Sequence, residues 1–177
     1  QFAATGPLSI PAAGSLTFDP DGSFTFDPAP TFAGVVTFPY EVCLPAPNAA
    51  SCDSAVQTII VGPNAVDDSD TVAHDTNLSD TVATNDVYPA GSQFSTSYVM
   101  PAAEGTLVFN ADGSFTFDPA ATFAGVINVP YQVCLPAPNG TVCDTAVQTI
   151  IVGPLANDDS FTTPTDTDVN AAVTAND

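Results

Sequence analysis

Apolar and polar side chains alternate along this chain in short bursts. Leu107 and Phe109 precede an Asn-Ala-Asp-Gly segment, and Phe115 and Phe117 follow it. Because successive side chains of a strand point to opposite faces, these four apolar groups fall on one face of a tight hairpin. Gly113 can adopt the left-handed conformation that such a turn needs. The pattern therefore predicts two antiparallel strands that face a core.

The same alternation returns farther along the chain. Ile127, Val129, Tyr131 and Val133 form a second alternating run. Residues 147–152 are rich in β-branched side chains, which predicts a last strand but leaves its inward face open. No stretch shows the 3.6-residue period of an amphipathic helix. Short strands with turn signals about every 8–12 residues predict an all-β fold made of antiparallel Ig-like sandwiches.

The chain repeats itself with a period of 91 residues. Residues 14–63 and residues 105–154 are identical at 37 of 50 aligned positions. The same offset relates residues 64–86 to residues 155–177, which share an Asp-Asp-Ser motif and a closing Asn-Asp. A unit of this length is too long for a solenoid repeat and has the size of a small domain. We therefore expect sandwiches arranged in tandem.

Gly-Pro pairs punctuate the repeat and suggest where each unit ends. The expected units are the C-terminal two-thirds of an Ig-like repeat at 1–63, a complete Ig-like repeat at 64–154 and the opening strands of a further repeat at 155–177. The chain begins at Gln1, without Met or a basic leader. The sequence therefore predicts an interior slice of a longer protein.

Composition and charge narrow the range of functions. The 177 residues include 20 Asp plus Glu, one His and no Lys or Arg, for a net charge of −20. Without cations the chain cannot neutralise nucleic-acid phosphates or bind an anionic membrane surface. P-loop, Schiff-base and arginine-clamp chemistry lack their required side chains. No apolar run approaches the roughly 18 residues of a membrane span, so we expect no nucleic-acid partner and no direct membrane insertion.

The repeats offer no recurring catalytic pair. The single histidine, His74, aligns with Thr165 in the next copy, so any acid–base partnership would not be repeated. We therefore expect a protein that is not an enzyme and requires no cofactor. Strand alternation also accounts for the aromatic residues of the two Asp-Gly-Ser-Phe-Thr-Phe motifs, which we expect in the cores instead of on a sugar-stacking surface. These residues are Phe24, Phe26, Phe115 and Phe117.

Four cysteines fall into two pairs with the same spacing. Cys43 and Cys52 bracket one Leu-Pro-Ala-Pro-Asn loop, and Cys134 and Cys143 bracket the other. A hairpin places such residues opposite each other, within the Cα separation that a disulfide tolerates. Two cysteines per unit without a nearby His cannot complete a tetrahedral zinc shell. The spacing therefore predicts two disulfides and an oxidising, extracellular setting.

Acidic residues gather behind each Gly-Pro pair. Carboxylate and amide oxygens are the ligands that Ca²⁺ prefers, so calcium could stiffen the boundary between adjacent units. Asp and Asn are equally ordinary turn residues, EF-hand spacing is absent, and Glu is scarce. Both interpretations stay open. A calcium site would use Asp67, Asp68, Asn157, Asp158 and Asp159.

Several motifs of the unit resemble those of known surface proteins. They are the Asp-Asp-Ser to Val-Thr-Ala-Asn-Asp segment at 158–177, the Gly-Thr-Leu-Val-Phe-Asn-Ala-Asp-Gly-Ser-Phe-Thr-Phe-Asp-Pro segment at 105–119 and the Tyr-Gln-Val-Cys segment at 131–134. Together they resemble the cadherin-like or Ig-like tandem repeats of giant bacterial cell-surface adhesins. The Cys-Leu-Pro-Ala-Pro-Asn-Gly variant resembles repeats of gliding-type adhesins of Bacteroidota. The resemblance implies stacked β-sandwiches at the cell surface, often with calcium at the junctions.

The same resemblance implies a modification. Bacteroidota O-glycosylate at Asp followed by Ser or Thr and then a small or apolar residue. Asp, Ser and Thr are abundant in this chain, so a three-residue match also arises easily by chance. Both interpretations stay open. The candidate acceptors are Ser54, Thr71, Thr81 and Thr145.

Two functional hypotheses follow. The first is a structural, non-catalytic segment of an extracellular adhesin or filament stalk, whose partners are neighbouring identical repeats or subunits. The second is a module that binds a glycan or a surface receptor through the Pro-rich Cys loop, where residues 49–51 and 140–142 differ between copies. Residues 155–177 could also complete the half-domain 1–63 of a next molecule by strand addition. The same contacts arise in one continuous chain, which the sequence favours.

Overall fold

The computed structural model describes residues 1–5, 9–10, 12–174 and 177, with residues 9–10 described in the backbone only. Within this part the chain is built of β-strands and one short 3₁₀ turn, Val82–Thr84. The all-β prediction is confirmed. In the described residues no helix is long and apolar enough to cross a membrane.

The strands fall into two groups separated by the Gly-Pro pair at 62–63. The first group is β1 (Phe2–Ala4), β2 (Ser9–Ile10), β3 (Gly14–Phe18), β4 (Phe24–Pro28), β5 (Gly34–Cys43) and β6 (Cys52–Val61). The second group is β7 (Asp68–Val72), β8 (Leu78–Thr81), β9 (Gln93–Ser95), β10 (Gly105–Phe109), β11 (Ser114–Pro119), β12 (Gly125–Cys134) and β13 (Cys143–Val152). We name residues 2–61 the first repeat, residues 64–152 the second repeat and residues 155–177 the tail.

The second repeat is a sandwich of two sheets. One sheet has the strand order β7-β13-β12-β9, and the other has the order β10-β11-β8. Strands β12 and β13 pair over ten residues, from Gly125↔Val152 to Cys134↔Cys143. Strand β7 lies parallel to β13, so this pair departs from the antiparallel prediction. The reason is that β7 reaches β13 by a long connection through the other strands, which a parallel pair requires.

The core of the second repeat lies between its two sheets. Leu107 pairs with Phe117 and Phe109 pairs with Phe115, which confirms the predicted hairpin. The alternating run of β12 is buried, as predicted. The inward face of β13, which the sequence left open, consists of Ala146, Gln148, Ile150 and Val152.

The first repeat uses the same hairpins with fewer strands. Its sheets have the orders β1-β5-β6 and β2-β3-β4. Strands β5 and β6 pair from Gly34↔Val61 to Cys43↔Cys52, which reproduces the β12–β13 register at the 91-residue offset. The described residues before Val61 contain no counterparts of β7 and β8, so β6 and β4 are edge strands.

The core of the first repeat is therefore open on one side. Phe24 is 40% exposed, whereas its counterpart Phe115 is 2% exposed. The prediction that Phe24 is a core residue is wrong, because strand β8 pairs beside Phe115 and no described strand takes that place beside Phe24. Phe26 is half-buried, while its counterpart Phe117 is fully buried.

Candidate functional site

Each long hairpin ends in a loop closed by a disulfide. Cys134 lies opposite Cys143 across β12 and β13, with an S–S distance of 2.00 Å. Cys43 and Cys52 are bonded in the same way in the first repeat, at 1.96 Å. These are the two disulfides that the sequence predicted, and the described part of the chain holds no free cysteine.

The Cys loop of the second repeat, residues 135–142, lies against the link that joins the two repeats. Val142 Cγ1 is 3.5 Å from the position that a Cβ of Gly62 would occupy. Leu135 is 2% exposed, whereas its counterpart Leu44 in the first repeat is 52% exposed. Two backbone turns hold the loop, since Asn139 N–H donates to the Pro136 carbonyl and Val142 N–H donates to the Asn139 carbonyl. The loop is thus held by its own turns and packs against the link through Val142.

Tyr131 anchors the segment that opens the second repeat. Its side chain is buried, and its hydroxyl lies 3.0 Å from the carbonyl oxygen of Val66. The same hydroxyl lies 3.1 Å from Asp68 Oδ2 and 3.2 Å from each carboxylate oxygen of Asp86. Asp86 Oδ1 also accepts a 2.7 Å hydrogen bond from Val66 N–H. One hydroxyl therefore ties both ends of the β7–β8 segment to β12.

Burial raises the pKa of the carboxyl groups near this hydroxyl. The pKa of Asp68 is raised by burial and by the charge of Asp86, while the hydrogen bond from Tyr131 opposes the shift. Burial also raises the pKa of Asp86 and of Asp70, and Asp80 adds to the effect on Asp70 by its charge. We name Asp68, Asp70 and Asp86 the junction carboxylates. The sequence has no Lys or Arg, so no ion pair with a lysine or arginine offsets the cost of burying the charged junction carboxylates.

No sequence motif singles out this tyrosine-centred group. Tyr131 was assigned only to the apolar alternation of β12, and Asp86 was assigned no role. The available signal was recurrence, because Tyr40 and Asp177 stand at the same positions of the neighbouring copies. A tyrosine inside an apolar run has a hydroxyl that needs a partner when buried. Recurrence of both residues at one offset would have pointed to that partner.

The predicted calcium residues of the second repeat face different protein groups. Asp67 Oδ1 accepts a 2.9 Å hydrogen bond from Val147 N–H, and Asp68 Oδ2 contacts the Tyr131 hydroxyl. The other three residues lie in the exposed tail: Asn157, Asp158 and Asp159. Calcium at the boundary stays a prediction.

A different group satisfies the distance requirement for a metal site. Among the described Asp, Glu, His and Cys residues, only Glu41, Cys43 and Cys52 place three possible ligand atoms within 4.8 Å of one another. Cys43 and Cys52 are joined in a disulfide, so they offer no thiolate to a metal. These three residues therefore belong to the disulfide-closed hairpin of the first repeat and not to a metal site.

The four candidate glycosylation sites differ in accessibility. Ser54, Thr71 and Thr145 are exposed strand residues. Thr81 is half-buried, and its Oγ1 accepts a hydrogen bond of 3.2 Å from Ala83 N–H at the start of the 3₁₀ turn. Glycosylation stays a prediction at all four, and the geometry favours the three exposed hydroxyls.

Thr145 lies at the side of an open cleft in the second repeat. The cleft has a volume of about 410 Å³ and is lined by Thr145 with residues 95–97 and 130–132. Apolar and polar atoms share this lining, which includes hydroxyl and amide groups but no charged side chain. The cleft can donate and accept hydrogen bonds, but it holds no pair of groups suited to acid–base chemistry.

The open side of the first repeat forms a groove of about 200 Å³ that is lined by aromatic side chains and by Asp21 and Gln57. Phe24 packs edge-on against Phe38, with ring centroids 5.3 Å apart. Tyr40 also lines the groove, and its hydroxyl makes no hydrogen bond with the described residues, in contrast to Tyr131. The aromatic lining consists of Phe2, Phe18, Phe24, Phe38 and Tyr40.

The tail contains no strand among its described residues, and those residues are exposed. The sequence predicted opening strands here, and none of the described residues of the tail belongs to a sheet. Three of its apolar side chains are about half exposed: Phe161 at 51%, Val169 at 49% and Val173 at 58%.

Comparison with known proteins identifies a family. The family model described as Bacterial Ig domain matches the chain in two segments, residues 2–60 and 61–152. No curated protein matches the chain.

Solved structures also match the chain at low identity. The crystal structure of human protocadherin-24 EC1-2 matches at 13% identity and a TM-score of 0.36, covering 87% of this chain and 81% of that chain. The endo-fucoidan hydrolase MfFcnA9 of glycoside hydrolase family 107 matches at 15% identity and a TM-score of 0.34, covering 86% of this chain and 28% of that chain. Likeness at this level says nothing about what this chain binds or does.

Proposed function

This chain belongs to the bacterial Ig domain family, and from that membership we propose that it is a structural, non-catalytic repeat segment of an extracellular surface adhesin or filament stalk. Near-identity over 37 of 50 aligned positions favours repetition of one building unit over diversified chemistry. Its partners are then neighbouring identical repeats or subunits.

The contact between the repeats is the observation that carries this proposal. The Cys loop of the second repeat packs Val142 against the Gly62-Pro63 link. Gly34 of the first repeat lies near Pro89 of the second. A Cβ added to Gly34 would be 3.9 Å from the Cβ of Pro89. A link of two residues with packing on both sides restricts relative motion, which suits a segment that spans distance.

Two chemical features support a place outside the cell. Disulfides persist in oxidising compartments, and each repeat has one at the same place in its fold. Since the chain has no Lys or Arg, trypsin-like proteases find no cleavage site in it. Both features favour survival on a cell surface.

Small-angle X-ray scattering of the full chain in dilute solution tests the spacer role. Ten-residue strands are about 33 Å long, so two sandwiches end to end give a radius of gyration of about 22 Å. A single globule of this chain length would give about 16 Å. A value near the lower figure would contradict the spacer role. Labelling of intact producing cells by an antibody to the chain would test the surface location, and labelling only after lysis would oppose it.

Binding through the Pro-rich Cys loop is the second candidate function. It is favoured by the exposed loop of the first repeat, where Leu44 borders a recess of about 320 Å³. A glycan array probed with the full chain would separate the two functions. Binding that Leu44→Asp abolishes would favour a binding module, and no binding to any glycan would favour the spacer.

A further inference from the structure

We propose that Asn139, in the Cys loop of the second repeat, is a site of spontaneous deamidation at which the backbone nitrogen of Gly140 attacks the side-chain amide. The inference goes beyond the proposed function, because the reaction is a property of the loop whatever the chain spans or binds. Its co-reactants are water and hydroxide, so it needs no enzyme.

The residue after Asn139 singles out this position. Asn139 is the only asparagine of the sequence that is followed by glycine. The attacking nitrogen belongs to the following residue, so a Cβ on that residue crowds the approach to the amide. Glycine has no Cβ and lets the backbone approach closely. The space around Gly140 is open, because a Cβ added there would lie 3.7 Å from the Leu135 carbonyl oxygen and closer to no other atom beyond its chain neighbours.

The loop leaves both reacting groups without hydrogen bonds. Neither the Gly140 N–H nor the Asn139 side-chain amide bonds to another group in the part of the chain that the structure describes. The neighbouring backbone groups are held, since Asn139 N–H donates to the Pro136 carbonyl at 3.0 Å and Val142 N–H donates to the Asn139 carbonyl at 2.9 Å. Gly140 is exposed to water. The reaction can therefore start without breaking a protein hydrogen bond.

The two Asp-Gly steps of the chain show the opposite arrangement. In the turn between β10 and β11, Gly113 N–H donates to the Asn110 carbonyl at 3.0 Å. Hydrogen bonds from Ser114 lower the pKa of the Asp112 carboxyl, so it is ionised at neutral pH and resists a nucleophile. The step at 21–22 has the same bonds. The Cys loop lacks both forms of protection.

The reaction balances without an oxidant or a reductant. Hydroxide removes the proton of the Gly140 N–H, and the nitrogen forms a bond to Cγ of Asn139. The bond from Cγ to Nδ2 breaks, and Nδ2 takes a proton from water and leaves as ammonia. Water then opens the cyclic imide at either carbonyl. The products are aspartate and isoaspartate, in which the main chain runs through Cβ and Cγ.

The isoaspartate product would loosen the contact between the Cys loop and the link. Its main chain is longer by one atom before Gly140, and the carbonyl that accepted the Val142 N–H becomes a carboxylate outside the main chain. Val142 Cγ1 lies 3.5 Å from the position of a Cβ at Gly62. A change in the turn between Asn139 and Val142 therefore reaches the link directly.

The first repeat supplies a matched loop that should react more slowly. Asn48 N–H donates to the Pro45 carbonyl and Ser51 N–H donates to the Asn48 carbonyl, both at 3.0 Å, so the two turns are the same. Ala49 stands where the second repeat has Gly140. At the reacting step the two loops thus differ by one methyl group.

Mass spectrometry of the ageing full chain tests the site. The chain is incubated at pH 8, reduced and digested with pepsin, and the peptides from the two loops are followed over time. The Asn139 peptide should gain about 1 Da and split into aspartate and isoaspartate forms, at least about tenfold faster than the Asn48 peptide reacts. At pH 6 the reaction should be at least about tenfold slower, because less of the Gly140 nitrogen is deprotonated. Equal rates in the two loops, or a rate at Asn139 that ignores pH, would overturn the proposal.

Two variants exchange the single methyl group between the loops. Gly140→Ala should slow the reaction at Asn139 to the rate of Asn48, and Ala49→Gly should raise the rate at Asn48 toward that of Asn139. Gly140 does not have a left-handed φ, and an added Cβ makes only ordinary contacts, so Gly140→Ala keeps the loop intact. An unchanged rate at Asn139 in Gly140→Ala would overturn the proposal.

Amide hydrogen exchange tests the consequence for the link. After ageing, exchange should be faster in residues 135–142 and unchanged in residues 44–51. Isoaspartate at Asn139 with unchanged exchange would overturn the loosening of the loop. These readouts are independent of the radius of gyration and of glycan binding, so their failure would leave the spacer role and the binding role untouched.

Discussion

Replacing Tyr131 with phenylalanine isolates the hydroxyl that anchors the start of the second repeat. The ring stays in place, so its packing in the core is retained. The substitution removes contacts of 3.0–3.2 Å with the Val66 carbonyl and with the carboxylates of Asp68 and Asp86. Hydrogen bonds to charged groups contribute about 1.5–3 kcal/mol each. Because one hydroxyl donates one proton, we expect Tyr131→Phe to lower the free energy of unfolding by about 2 kcal/mol.

The repeat supplies a matched control for this substitution. Tyr40 has the same position in the first repeat, but its hydroxyl makes no hydrogen bond with the described residues. Tyr40→Phe in the dilute chain should therefore change the free energy of unfolding by less than about 0.5 kcal/mol. Urea unfolding followed by circular dichroism at pH 7 would measure both values. Equal effects of the two substitutions would refute the reasoning, because both keep the ring and only the Tyr131 hydroxyl has acceptors within the described residues.

Three other perturbations test the packing, the charges and the disulfides. Val82→Ala removes buried methyl groups and should cost about 2–3 kcal/mol in urea unfolding, whereas Val99→Ala should cost almost nothing; similar costs would contradict the burial of Val82. The junction carboxylates have raised pKa values in the folded state, so the folded protein binds protons more tightly. The free energy of unfolding should therefore rise as the pH falls from neutrality toward 3.8, the ordinary pKa of Asp. The added stability should be lost when the pH is raised again through the folded pKa values. A melting temperature that falls as the pH falls from neutrality toward 3.8 would oppose the assignment. Replacing Cys134 and Cys143 together with serine opens the loop and should lower the free energy of unfolding by about 2–3 kcal/mol, which calorimetry can measure. An unchanged melting temperature would show that the disulfide contributes no stability.

The sequence predicted the parts of the fold that depend on local pattern. Alternation placed Phe109 opposite Phe115, and equal spacing paired Cys134 with Cys143. The inward face of β13 could not be chosen because both faces carry β-branched residues. The structure buries the face that includes Gln148, whose amide donates a 2.9 Å hydrogen bond to Asp70. A polar residue in a core is predictable only when its partner on a distant strand is known.

Identical motifs also acquired different environments. The Asp-Gly-Ser-Phe-Thr-Phe motif occurs in both repeats, yet Phe115 is buried and Phe24 is exposed. The difference comes from β8, which precedes its partner β11 by more than thirty residues and has no described counterpart beside β4. Local sequence therefore predicts the strand but not whether its neighbour is present. The calcium and glycan sites stay predictions, because protein contacts alone do not reveal an ion or a sugar.

Amide hydrogen exchange on β6 and β13 tests the central claim most directly. The two strands differ only at Ser54 and Thr145, so their intrinsic exchange rates are nearly the same while their peptides differ in mass. In dilute solution the account predicts slow exchange in β13, which lies between two strands, and faster exchange in β6, which has an open edge. Equal protection of both strands in the dilute monomer would contradict the account.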